Sequence, residues 1–167
     1  MRPAALHSRI DLACEQLDIA IELFFSERSF VSSLTLAGAA EEVFGVELKN
    51  RNGQSTLARR YAVRQRLHER LNENRRLYPS VNLKAQTWKE FTEKENYARN
   101  AAKHIADKRQ QRSYDPFFRA EPRSESVNMI LRAMHNQELL GLPRSELAHR
   151  FYGWYMSSVY GDEASET

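Results

Sequence analysis

The sequence predicts an all-α helical bundle of about six helices, and three observations lead there. Apolar residues recur at helical spacing along most of the chain. Gly and Pro are scarce, six and five among 167 residues, while the good helix formers Ala, Leu, Glu and Arg are abundant. No stretch alternates apolar and polar residues over a useful strand length, and no internal repeat or low-complexity block interrupts the pattern. An apolar fraction of 41% with 28% charged residues belongs to a soluble globular chain. One domain, residues 1–160, is long enough to bury a core without staples, and residues 161–167 read as a loose acidic tail.

The helices follow in order. Residues 4–26 carry Leu6, Ile10, Ala13, Leu17 and Ala20 at helical spacing, then thicken through Ile21, Leu23, Phe24 and Phe25 into an end that is apolar nearly all round. Residues 30–49 carry a core arc of Leu34, Ala37, Ala40, Val43, Phe44 and Leu48. Gly38 in mid-helix costs stability relative to Ala, which points to a packing reason for it. Glu41 projects at the edge of that arc, where a carboxylate needs a cation or a donor. It either orients the Arg99 and His104 surface or reaches water or any neighbouring arginine. Residues 50–53 are a turn, with Gly53 available for a left-handed stop. Residues 55–78 follow as a thinly apolar helix on which Arg59, Arg60, Arg64, Arg66 and Arg70 outnumber Glu69 and Glu73. They offer either a track for a phosphate backbone or a solvated face.

Tyr78-Pro79-Ser80 ends that helix, and one further helix spans residues 87–105. At 100° per residue Trp88, Phe91, Ala98 and Ile105 share its core half, whereas Arg99, Asn100, Lys103 and His104 fall on the opposite half. A long basic loop with two prolines leaves from His104, carrying Lys108, Arg109 and Arg112. Ser124 is the expected N-cap of a helix running to about residue 140, stopped by Gly141. A last helix runs from Pro143 or Arg144 to about Tyr160, with Phe151 and Trp154 on its apolar stripe.

Charge and cysteine usage narrow the classes. A net charge of +3 permits nucleic acid as a partner without requiring it. The one cysteine, Cys14, lies in a helical apolar pattern and reads as a packed free thiol, which suits a reducing, cytoplasmic setting. No apolar run approaches a bilayer span, so no membrane association is expected. The five histidines lack metal-ligand spacing, and no Gly-rich phosphate loop or nucleophile motif occurs, so neither metal nor cofactor is expected.

The run Arg99-Asn100-Ala101-Ala102-Lys103-His104 joins cations, an amide and an imidazole, groups that can hold a phosphodiester and move a proton near neutral pH. An arginine followed by a polar residue and, after a spacer of four, by histidine resembles the hallmark of the HEPN superfamily. The Leu36 to Phe44 segment is similar to the second helix of small HEPN-like bacterial proteins, and Asn100 to His104 matches their Asn-x-x-Lys-His run. Arg144 to His149 repeats the arginine–histidine spacing by chance, with Ser145 in the second position.

The resemblance implies metal-independent cleavage of RNA, with Arg99 on the scissile phosphate and His104 in proton transfer. Asn100, Lys103 and Glu41 would support the site, while Arg59, Arg60, Lys108, Arg109 and Arg112 would contact RNA. It also implies a homodimer that joins two such motifs, and a toxin or defence role with an antitoxin partner. Many HEPN-like proteins are not catalytic, so a helical RNA-binding or protein-interaction module stands beside the enzyme.

Overall fold

The computed structural model describes residues 6–81, 83–103 and 119–161. Among them are seven α-helices and no strand: α1 (Arg9–Phe25), α2 (Phe30–Asn50), α3 (Thr56–Glu73), α4 (Trp88–Glu95), α5 (Tyr97–Lys103), α6 (Pro122–Leu139) and α7 (Glu146–Tyr160). Side-chain caps set most of the starts. Ser8, Ser29, Ser55 and Ser145 each accept a backbone N–H of the first turn, and Thr87 and Glu90 form a reciprocal capping box.

Two ends differ from expectation. The cap of α6 is Glu121, whose carboxylate accepts from the amides of Arg123 and Ser124, because Pro122 already has a helical φ and no N–H to satisfy. At the end of α2 the left-handed residue is Asn52, at φ 59°, and not Gly53. Gly53 is needed for close approach instead: its N–H donates to Leu48 O at 2.7 Å, and a Cβ would stand 3.1 Å from that oxygen.

The centre of the bundle is α1, α2 and α6. Ala13, Ala20, Ala37, Ala40 and Ala133 are fully or almost fully buried, and their small side chains let these three helices come close. Leu17, Ile21, Leu34, Phe44, Ile130 and Met134 fill the space between them. Burying each is worth roughly 1.5–3 kcal/mol. At one end Phe24 packs edge-on against Phe151 and Trp154, with ring centroids 5.3 and 4.9 Å away, which fastens α7 to α1. α3 is attached differently, since only Thr56 and Leu57 of its 18 residues are buried.

The helix expected over 87–105 is broken at Asn96. Arg132 donates through Nη1 to Glu95 O at 3.2 Å and through Nη2 to Asn96 Oδ1 at 3.0 Å. It thereby takes a carbonyl that an unbroken helix would give to the amide four residues on. Phe91 and Ala98 are buried as expected, but Trp88 is 45% exposed and leans on Tyr61 of α3. Phe91 and Ala98, two turns apart, keep one buried phase across the break.

Candidate functional site

The site is built on Glu41, in the middle of α2. Its neighbours Ala37, Gly38 and Ala40 let α5 and α6 close over it, and only 6% of the residue is exposed. A carboxylate in that position requires charged partners, and it has two. Arg132 of α6, 2% exposed, donates from Nη2 to Glu41 Oε1 at 3.0 Å. Arg99 of α5 places Nη1 3.6 Å from Glu41 Oε2. Each carboxylate oxygen thus faces a different guanidinium.

Arg99 is not on the solvent face. Its side chain is only 12% exposed because its stem lies across Gly38, where a Cβ would stand 2.3 Å from Arg99 Cδ. That close approach is the packing reason for a glycine in mid-helix. Nη1 also donates to Gly38 O at 3.4 Å, while Nε and Nη2 both donate to Asn100 Oδ1 at 3.3 Å. The exposed Glu42 lies 3.9 Å away. Two guanidiniums against one buried carboxylate leave a surplus positive charge at this edge of α5, which the water-screened Glu42 offsets weakly.

Asn136, one turn along α6 from Arg132, completes the polar seam. Its Oδ1 accepts from Thr56 N at 2.7 Å and Thr56 Oγ1 at 2.8 Å, and its Nδ2 donates to Glu41 O at 3.3 Å. One buried amide therefore ties the start of α3 to α2 and α6. The helical spacing contained a signal for Asn136, which stands seven residues after Met129 and three after Ala133 on the buried stripe. Nothing in the spacing of Arg132 marked it as the main partner of Glu41.

Of the other expected site residues, Asn100 is exposed beside Arg99. Lys103 ends α5, its side chain lies outside the described residues, and so do His104, Lys108, Arg109 and Arg112. Arg59 and Arg60 are exposed on α3, and Arg60 Nη1 stands 3.5 Å from Glu95 Oε2. Arg144, the start of the accidental spacing, bonds Glu138 and covers the Tyr152 ring, while His149 is exposed. Cys14 is half-buried with Gln137 Nε2 3.7 Å from its sulfur, and burial pushes its thiol up from the ordinary value. Among the described residues no group of His, Cys, Asp and Glu could hold a metal ion, and no helix is long and apolar enough to cross a membrane.

Fold and site together define an all-helical bundle with an arginine–carboxylate node buried where α2, α5 and α6 meet. No family model, curated protein or solved structure matches the chain.

Proposed function

We propose that this chain is a HEPN-like, metal-independent endoribonuclease in which Arg99 holds the scissile phosphate and His104 transfers a proton. The observation that supports the reading is the surplus positive charge at Arg99. Glu41 already has its closer partner in Arg132, so Arg99 is oriented by a carboxylate that does not fully neutralise it. A phosphate displacing Asn100 Oδ1 from Nε and Nη2 would meet a planar fork suited to bidentate contact. His104 follows by five residues. In the reaction the imidazole takes the proton of a ribose 2′-hydroxyl, the 2′-oxygen attacks phosphorus, and the 5′-oxygen leaves with a proton from a second imidazole. That second group is His104 of another copy, so the enzyme acts as a homodimer. A cytoplasmic toxin or defence component with an antitoxin partner fits this chemistry.

Mixed RNA incubated with the purified chain in a chelator should be cut to products with 2′,3′-cyclic phosphate ends. His104→Ala should slow cleavage roughly 10²- to 10⁴-fold with RNA affinity little changed. Arg99→Ala should impair cleavage and weaken binding. One observation favours a second reading, a non-catalytic interaction module: every donor-bearing nitrogen of Arg99 already faces a protein acceptor. Intact RNA after incubation with the parent chain, or His104→Ala cutting as fast as the parent, would select it.

A further inference from the structure

We propose that the groove along α3 is the docking site for an acidic amphipathic helix of a partner protein. It is a shallow, open groove of about 420 Å³ between α3 and α6, and Arg59, Arg60, Val63, Arg64, Leu67 and His135 line it beside Thr56. Val63 and Leu67 are one turn apart and 60% and 49% exposed, so they form an apolar strip left in water. At 100° per residue Arg59 falls on one flank of that strip, and Arg60 and Arg64 on the other. No acidic side chain lines the groove; Glu69 falls on the far side of the helix, and Glu73 lies in its last turn beyond the lining residues.

The strip is an unmet part of the bundle. α3 is held by its first turn, by Trp88 and Phe91 against Tyr61, and by Tyr61 and Gln65, which both donate to Gln86 O. Apart from Thr56, which closes one end of the groove, these contacts attach the helix through its other faces. Single exposed aliphatic residues need no explanation, but an adjacent pair in a groove with cations along both flanks has a complement of definite chemistry. That complement carries apolar side chains at i, i+3 or i+4 and i+7, with carboxylates on either side of them. Arg60 is held only loosely by Glu95, at 3.5 Å, and remains able to meet an incoming carboxylate. RNA would use the guanidiniums and leave Val63 and Leu67 wet, so the apolar strip favours protein. The inference does not rest on Arg99 or His104.

The test uses the full chain and a fluorescent 16-residue helical peptide with leucines along one face and glutamates on both flanks, read by anisotropy. Saturable, salt-weakened binding is expected. Replacing the peptide's glutamates with lysine should abolish it. The Val63→Ser/Leu67→Ser double variant, with its helix content checked, should bind roughly tenfold more weakly or worse, since two apolar contacts are lost. Arg59→Gln/Arg64→Gln should weaken binding and flatten its salt dependence. Three results would overturn the proposal: no binding of the acidic peptide, an effect of the arginine pair without one of Val63 and Leu67 together with binding of a single-stranded RNA, or self-association of the chain that the serine variant abolishes.

Discussion

The bundle treats arginine in two opposite ways. In the seam between α2, α5 and α6, Arg132 is buried and Arg99 is largely covered against Glu41; on α3, Arg59, Arg60, Arg66 and Arg70 stand in water. The side chain is the same, so its surroundings decide. Arg132 meets a carboxylate, a carbonyl and an amide oxygen within 3.2 Å, and Arg99 finds a channel because residue 38 has no side chain. The α3 arginines face solvent, where a long aliphatic stem with a hydrated head costs little. Arg132, fully enclosed, is therefore part of the fold, whereas the exposed arginines of α3 are available to a partner.

The largest expected effect is that of Arg132→Met. Removing the closer partner of a buried carboxylate should cost about 3–5 kcal/mol in urea unfolding, whereas Arg66→Ala on α3 should stay within about 0.5 kcal/mol. Equal costs for the two would erase the contrast. Next comes Asn136→Ala, which leaves the amide and hydroxyl of Thr56 and the carbonyl of Glu41 without this partner and should cost about 1–3 kcal/mol. Gly38→Ala should change stability less, since the better helix propensity of alanine, about 1 kcal/mol, opposes displacement of Arg99. Its signature should be a loss of RNA binding or cleavage comparable to that of Arg99→Ala, seen in the same assay.

The smallest expected effect concerns acid. Glu121 and Glu90 are held below the ordinary 4.5 of a glutamate, first by hydrogen bonds from Ser124 and from Thr87 respectively. A depressed folded value means that the ionised form favours folding. The contribution is present above 4.5 and is lost as pH falls through the lower folded value. Glu121→Gln should therefore flatten the acid limb of a stability–pH curve below 4.5 and leave the neutral region's slope unchanged.

The helical class, every helix region and much of the core were legible because amphipathic spacing is a local signal, with α4 and α5 read as one helix. Leu17, Ala37, Phe44 and Phe151 all lie where their spacing places them. Glu41 was legible as a carboxylate needing a cation, and the structure supplies two. The break at Asn96 was not, because it is made by Arg132, 36 residues further along. For the same reason Arg99 was expected on the outside: its burial depends on Gly38 of another helix, a contact no local pattern encodes. The expected role of His104 concerns a residue outside those described.

A double-mutant cycle in urea most directly tests the unequal sharing of Glu41, using Glu41→Gln with Arg132→Gln and, separately, with Arg99→Gln. Arg132 is closer and more deeply buried, so its coupling to Glu41 should be about 2–3 kcal/mol and should exceed that of Arg99. A larger coupling to Arg99, or none to either, would contradict a node in which Arg132 secures the fold and leaves Arg99 with charge to spare.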